Sequence, residues 1–182
     1  STASSSDQIV LSEKDGPVNA VIVKETEKKL DIKDSVEMTI ELPSDFIENK
    51  NAYVLHTKDS GKQYVYTGTV DGQTLTFTNP NGFSEFTVYA SDPSVARVYA
   101  ASEDLENDSG VGYMTLQDAV NAVKTGGTII ANQDGEATVS DSKSFTVIDN
   151  GNDIALFAGK NYRMEKETAE NGIVYTFTCR GG

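Results

Sequence analysis

Residues 115–130 read TLQDAVNAVKTGGTII, and this stretch is the only one in the chain with both ends of a helix marked. Its apolar residues recur at spacings of three and four and form one stripe: Leu116, Ala119, Val120 and Val123. Thr115 is a suitable N-cap, and Asp118 completes a capping-box pair near the positive end of the helix dipole. We therefore predict a helix at residues 116–124.

The end of this helix is marked as clearly as its start. Lys124 lies in the predicted last turn, and Gly126 and Gly127 supply a left-handed stop. A β-branched run at residues 128–131 follows at once and predicts a strand. The segments before and after this unit have the patterns of strands and turns, so we expect the chain to be mainly β.

The first half of the chain contains seven or so short apolar segments separated by turn signals. Residues 36–42, VEMTIEL, alternate apolar and polar side chains and predict a strand with one buried face. Asp71 and Gly72 tolerate positive φ and predict a type I′ hairpin turn between two strands. This spacing of strands and turns predicts an immunoglobulin-like β-sandwich at residues 1–92.

The second half, residues 93–182, follows the boundary signal SDPS at residues 91–94. It is expected to be a β-rich domain whose helix near residues 116–124 covers one face of its strands. The sequences DNG at 149–151 and ENG at 170–172 predict hairpin-type turns. We detect no internal repeat by sequence.

Composition restricts the function classes. The chain has 182 residues and a net charge of −13, with 8 basic and 15 acidic residues before Pro93 and 7 and 13 from there on. The negative electrostatic potential of such a chain repels phosphate backbones and anionic lipids, so nucleic-acid and membrane-surface partners are disfavoured. No run of 18 apolar residues occurs, so no membrane insertion is expected. The opening STASSS resembles a linker and suggests a mature or excised fragment.

Two segments of the chain have a recognisable order of motifs. The first contains HTKDSGK at 56–62, VDGQTLTFT at 70–78 and GFSEFTV at 82–88. It resembles the pattern of a His-containing strand, a V-D-G hairpin and a terminal F-S-x-F strand in modules of large, cell-wall-attached surface proteins of Gram-positive, Firmicutes-type bacteria. The second, YMTLQDAVNAVKTGGTII at 113–130, is similar to a helix-then-strand unit that these proteins repeat, and residues 157–178 continue in that style.

The resemblance covers roughly two-thirds of the chain and consists of strand and turn patterns rather than reactive groups. It implies an extracellular location, at the cell surface or in the cell wall. Relatives of this kind serve as spacers, stalks, adhesive or immunoglobulin-binding modules, and ancillary domains of surface glycosidases. It therefore implies a place and an architecture more than an activity.

Few residues have the pattern of a catalytic unit. His56 is the only histidine and Cys179 the only cysteine, so any Ser-His-Asp or Cys-His unit would have to use His56. No G-x-S-x-G elbow is present. His56 shares a strand face with Val54, which favours a packed histidine over a base, and Cys179 lies in what resembles a fraying terminal segment. Paired carboxylates could serve a glycosidase, but no motif singles out a pair.

Metal sites are limited by the same composition. One histidine and one cysteine cannot supply the ligands of zinc. Asp104, Glu106 and Asp108 alternate in one loop and form the candidate calcium site, and Asp149 and Asp153 bracket a glycine turn. The spacing does not fit an EF-hand, so a solvated acidic loop is the favoured interpretation and no cofactor is required.

Tyr64 and Tyr66 share one strand face and are the candidate binding residues, because tyrosine rings can form a platform for sugars. Ordinary packing is the favoured alternative, since strands are naturally rich in tyrosine. An isopeptide bond between Lys24 and Asn79, as in some Gram-positive pilins, is a further alternative, although the flanking patterns of those proteins are missing.

The sequence thus predicts a non-catalytic, monomeric module of a secreted or wall-attached bacterial surface protein. It would serve adhesion, host-protein binding or spacing, with a host protein or glycan as partner. The alternative is an ancillary, carbohydrate-binding domain of a surface carbohydrate-active enzyme.

Overall fold

The computed structural model describes residues 9–13, 19–24, 36–42, 51–81, 85–100, 110–140, 143–170 and 172–179. Within these ranges the protein is mainly β with one short helix, which confirms the predicted class. The chain divides into two units, Ser1–Pro93 and Ser94–Gly182. This division falls one residue from the expected boundary.

Seven described strands form the first unit, and every pairing between them is antiparallel. Their hydrogen-bonded order is β1-β2-β7-β4-β5-β6-β3. Strand β3 has the predicted alternation, with Met38, Ile40 and Leu42 buried and the residues between them exposed. The strands are β1 (Ile9–Glu13), β2 (Asn19–Lys24), β3 (Val36–Glu41), β4 (Asn51–Thr57), β5 (Gln63–Asp71), β6 (Thr74–Asn79) and β7 (Glu85–Tyr89).

Strand β5 changes partner along its length. It pairs with β4 over residues 63–69 and with β6 over residues 69–71. Gly68 lies at this change, and a Cβ there would come within 2.8 Å of the Thr76 carbonyl oxygen and 2.5 Å of a Leu75 methyl group. Only glycine permits so close an approach of two strands, so Gly68 is required where β5 passes from one partner to the other.

The interior of the first unit lies between strands that are distant within the sheet order. In a flat sheet, β6 and β7 would be about 14 Å apart, since neighbouring strands are spaced by about 4.8 Å. The ring centroids of Phe77 on β6 and Phe86 on β7 are nevertheless only 5.8 Å apart. The sheet therefore curves towards its interior, where Leu75, Val65, Val54 and Val88 are buried.

The predicted hairpin between β5 and β6 is confirmed, but its turn is displaced by one residue. Asp71 pairs with Thr74, so the two-residue loop is Gly72-Gln73 rather than Asp71-Gly72. Gly72 has φ +65°, whereas Gln73 is not among the residues with positive φ. This pattern is that of a type II′ turn, in which glycine occupies the first central position.

The second unit contains two sheets. In the larger sheet the order is β9-β8-β10-β12-β15-β14, and in the smaller β11 pairs with β13. The helix α1 (Leu116–Ala122) lies between β9 and β10 in the sequence. The strands are β8 (Ala96–Tyr99), β9 (Val111–Tyr113), β10 (Thr128–Ala131), β11 (Gly135–Val139), β12 (Phe145–Ile148), β13 (Ile154–Ala158), β14 (Tyr162–Ala169) and β15 (Gly172–Cys179).

A short geometric repeat organises this unit. Strand β10 pairs in parallel with β12, and β11 pairs in parallel with β13, at separations of 18 and 19 residues: Thr128 lies beside Thr146, and Gly135 beside Ile154. The chain thus passes twice through the same two sheets, as in two coils of a β-solenoid. This repeat is one of backbone pairing, which a search for repeated sequence does not detect.

The two glycine turns differ in outcome. The turn at 170–172 joins β14 to β15 as a hairpin, with Ala169 beside Gly172, which confirms the prediction. The turn at 149–151 joins β12 to β13, which lie in different sheets, so the hairpin expected there is wrong. Asn150 and Gly151 have φ of +52° and +83°, so the turn itself uses the left-handed conformations that this sequence allows.

The N-terminal end of α1 follows the prediction. The Thr115 hydroxyl accepts a hydrogen bond from the Asp118 backbone N–H at 3.0 Å. Leu116, Ala119 and Val120 are buried, and they pack in one core with Val139, Phe145 and Phe177 from both sheets. Capping and the apolar stripe are local properties of the sequence, which is why they could be predicted.

The C-terminal end of α1 differs from the prediction. The helix ends at Ala122, and Val123 is already extended, so Lys124 and the two glycines do not terminate it. Instead Lys143, just before β12, donates to the carbonyl oxygens of Val120 at 2.6 Å, Asn121 at 3.2 Å and Val123 at 2.7 Å. A cation from the second coil thus bonds the carbonyls that the helix leaves unpaired.

Replacing Lys143 by methionine should lower the free energy of unfolding of the second unit by about 1–3 kcal/mol, since carbonyls around a partly buried site lose their donor. Urea unfolding followed by NMR signals of β10–β15 measures this change. Lys124→Met is the matched control, because Lys124 is exposed, and should change stability by less than about 0.5 kcal/mol. Equal effects of the two substitutions would contradict the assignment of Lys143 as the cap.

Candidate functional site

The sequence-predicted residues of the first unit meet in a group of rings that we call the aromatic cluster: His56 on β4, Tyr64 and Tyr66 on β5, Phe77 on β6 and Phe86 on β7. His56 faces the interior with Val54 and is 0% exposed. Its ring stacks on Phe86 with centroids 4.4 Å apart. The interpretation of His56 as a packed histidine is therefore confirmed.

Hydrogen bonds fix the polar atoms of the aromatic cluster. The Tyr66 hydroxyl oxygen lies 2.9 Å from His56 Nδ1 and accepts a hydrogen bond from the Asn81 side-chain amide at 2.7 Å. Because Asn81 donates to this oxygen, the hydroxyl hydrogen is free to point at His56 Nδ1. The network is thus satisfied with a neutral imidazole that accepts at Nδ1.

Burial also sets the protonation of His56. Burial first, and the nearby Lys58 ammonium second, lower the pKa of His56 from 6.5 to about 4. Both causes act against the charged form, since burial removes water and Lys58 adds like charge. At neutral pH the imidazole is therefore neutral and enclosed, and it contributes to the interior rather than to solvent-facing chemistry.

The two candidate tyrosines have different environments. Tyr66 is 4% exposed, so its ring is not available as a platform, and packing describes it. Tyr64 is half-buried and lies at the outer end of a stack: its ring is 8° from parallel to Tyr66, which is 15° from Phe77. Of the predicted pair, only Tyr64 presents part of its ring to a ligand.

Only some of the acidic candidate residues belong to the described part of the structure. Asp104, Glu106 and Asp108 lie outside the described residues. Asp149 is buried, and its Oδ1 accepts from the backbone N–H groups of Gly151 at 3.0 Å and Ile173 at 2.8 Å. Nowhere in the described ranges do three or more potential metal ligands form a group. Asp149 therefore holds a turn against β15.

Tyr175 and Cys179 also have structural environments. Burial, followed by the carboxylates of Asp149 and Asp153, raises the pKa of the buried Tyr175 above its ordinary value. Cys179 is the last residue of β15 and lies beside Tyr162 of β14, and its backbone N–H donates to the Ser144 hydroxyl at 3.2 Å. The expectation that Cys179 lies in a fraying segment is wrong, because β14 and β12 flank this end of the strand.

The residues of the isopeptide alternative are only partly described. The Lys24 side chain lies outside the described part of the structure. Asn79 is buried, its amide nitrogen donates to Met38 Sδ at 3.4 Å, and its Oδ1 accepts from the Asn81 backbone N–H at 3.0 Å. Its amide therefore supports the turn after β6.

Sequence reasoning missed one surface feature, the outer edge of β13, which we call the β13 edge. Strand β13 pairs with β11 and with no second strand among the described residues. Phe157 in this strand is 57% exposed. The signal that could have found it is the uncharged run IALFAG at 154–159, which stands out in a chain with 28 acidic residues.

Comparison of the chain with family models, with curated proteins and with solved structures gives no match. Across the described residues, no helix has the length and apolar character needed to cross a bilayer.

Acid should destabilise the first unit through His56. An unfolded histidine titrates near 6.5 and the buried one near 4, so protons bind preferentially to the unfolded chain, and stability falls as pH drops from about 6.5 towards 4. The expected loss at pH 4 is about 3 kcal/mol relative to a non-titrating variant. Urea unfolding followed by NMR signals of β4–β7, at pH 7 and at pH 4, measures it.

His56→Gln and His56→Phe are the comparison variants, because neither side chain titrates. A comparison is needed because carboxylates titrate below pH 5 in every variant and add their own pH dependence. Only the difference in pH dependence counts, so a uniform loss of stability in a variant does not affect the result. The same pH dependence in wild type and both variants would contradict the assigned protonation of His56.

Proposed function

We propose that the chain is a non-catalytic module of a secreted or wall-attached bacterial surface protein and serves adhesion, host-protein binding or spacing. One observation carries the proposal. In the described residues, the polar groups that could have been reactive hold the fold together. His56 bonds Tyr66, Asp149 bonds two backbone amides, and Lys143 bonds the end of α1. Strand edges, loops and partly exposed tyrosines such as Tyr64 remain for contact with other molecules.

The architecture supports an extracellular module. We infer that the first unit is an immunoglobulin-like β-sandwich, since seven antiparallel strands fold so that Phe77 and Phe86 meet across the interior. The resemblance of both halves to wall-attached surface proteins favours the same location, and the charge of −13 favours a soluble monomer.

A carbohydrate-binding ancillary domain is the second candidate, and Tyr64 is the observation that favours it. Its ring forms the outer end of the stack with Tyr66 and Phe77, so it is held in one orientation. A rigid, partly exposed aromatic ring is suited to the apolar face of a sugar. The calcium proposal rests on Asp104, Glu106 and Asp108 and accompanies either function.

Binding measurements distinguish these functions. We expect the immobilised chain to bind at least one host matrix protein or immunoglobulin saturably, and free oligosaccharides should not compete. In parallel, thermal unfolding with a glycan panel and with calcium tests the second candidate, since a bound ligand raises the Tm. Tyr64→Ala removes the ring, and Tyr64→Phe is the matched control that keeps it.

A glycan-dependent rise in Tm that is lost in Tyr64→Ala and kept in Tyr64→Phe would favour the carbohydrate-binding function instead. Release of sugar from any glycan by the purified chain would contradict a non-catalytic module. Absence of binding to both panels would restrict the proposal to spacing.

A further inference from the structure

The two edges of the small sheet in the second unit differ. On the β11 side, the Gln117 side chain from α1 donates to the Thr138 carbonyl oxygen at 3.0 Å and accepts from the Thr138 N–H at 2.8 Å. One side-chain amide thus occupies both backbone groups that Thr138 directs outward. The helix therefore covers this edge, and the β13 edge is the open one among the described residues.

The parallel ladder determines which backbone groups of β13 face outward. The Gly135 N–H donates to the Asp153 carbonyl at 3.2 Å, and Gly135 lies beside Ile154. Since the backbone groups of successive residues in a strand point to opposite sides, Ala155 and Phe157 bond β11. The N–H and C=O groups of Ile154, Leu156 and Ala158 then point away from β11.

The side chains on this edge have none of the features that prevent strand addition. Native edges are usually protected by charges, proline or bulges. Strand β14, at one end of the larger sheet, is so protected by Arg163, Glu165, Lys166 and Glu167, all of them exposed. Strand β13, with the sequence IALFA, has no charge and no proline, and Phe157 is 57% exposed. An edge of this composition is suited to pairing with another strand.

The charges around the β13 edge indicate which kind of partner strand could bind there. Three exposed carboxylates lie at the end where β13 begins: Asp134 precedes β11, Glu136 is on β11 beside Ala155, and Asp153 precedes β13. With the net charge of −13, they favour a basic partner and disfavour a second copy of the chain. The centre of the edge is neutral, so the middle of the partner strand should be uncharged.

We propose that the β13 edge binds an extended segment of a partner protein by strand addition, and that this segment is uncharged in its middle and carries lysine or arginine at its end. The open backbone groups of Ile154, Leu156 and Ala158 supply the hydrogen bonds, Phe157 contacts a side chain of the added strand, and the carboxylates pair with the basic end. This inference rests on the proposed binding function and specifies how binding occurs.

The test uses the whole chain and a synthetic peptide, KKTVTVTVKK, which can pair in either direction. Its control has the same sequence with alternate backbone amides N-methylated, so that charge is kept and the hydrogen-bond ladder is lost. Phe157→Lys introduces a repelling charge, and Ala158→Pro removes an outward N–H at an edge position that tolerates proline. Met164→Lys is the matched control, because Met164 is 40% exposed on β14.

We expect the peptide to bind saturably and its N-methylated control not to bind. Phe157→Lys and Ala158→Pro should each weaken binding about ten-fold or more, which corresponds to about 1.4 kcal/mol, whereas Met164→Lys should leave it unchanged. Circular dichroism of each variant checks that the fold is retained.

Other outcomes would overturn the inference. These are no binding of the peptide, equal binding of the N-methylated control, or equal weakening by Met164→Lys, which would indicate attraction by charge alone. Sedimentation showing a wild-type dimer that Phe157→Lys dissociates would make a second copy the occupant. Host-protein binding that survives Phe157→Lys and Ala158→Pro would support the proposed function while overturning its location at the β13 edge.

Discussion

The second unit depends on one constraint: the backbone N–H and C=O groups along its strand edges need hydrogen-bond partners. Its two coils stack β10 on β12 and β11 on β13, which pairs the interior edges. At the β11 edge the partner comes from α1, where the Gln117 side-chain amide bonds both the N–H and the C=O group of Thr138. Lys143, just before β12, in turn donates to the carbonyl oxygens at the end of α1. The helix and the coils thus supply hydrogen-bond partners to one another. The consequence is an unsymmetrical structure, covered at β11 and open at β13 within the described residues.

The first unit depends instead on bringing side chains from distant strands together in one interior. Strand β5 changes from β4 to β6 at Gly68, where a side chain would strike the neighbouring backbone. The polar atoms left inside are paired with one another: His56 with Tyr66, and Tyr66 with Asn81. A histidine in such a place is a neutral packing element. This environment of His56 and Tyr66 supports the proposal of a binding or spacing module.

Local features could be predicted from the sequence, and long-range ones could not. The Thr115 cap, the apolar stripe of α1 and the alternation of β3 depend on residues within a few positions and are confirmed. The helix end was misplaced because its cap, Lys143, comes from about twenty residues further on. Parallel pairing was missed because its alternation resembles that of antiparallel strands. Among the candidate site residues, Tyr64 and Tyr66 occupy equivalent positions in the alternation of β5. Only the packing of the folded unit makes Tyr66 buried and leaves Tyr64 partly accessible.

In the described residues, the small sheet is covered along its β11 edge and open along its β13 edge. Amide hydrogen exchange resolved by residue tests it most directly, because exchange reports whether each N–H is bonded. We expect slow exchange at Thr138, Ala155 and Phe157, whose N–H groups are bonded, and fast exchange at the alternate residues Leu156 and Ala158. Uniform protection along β13 would contradict the account, since it would mean that this edge is already covered in the isolated chain.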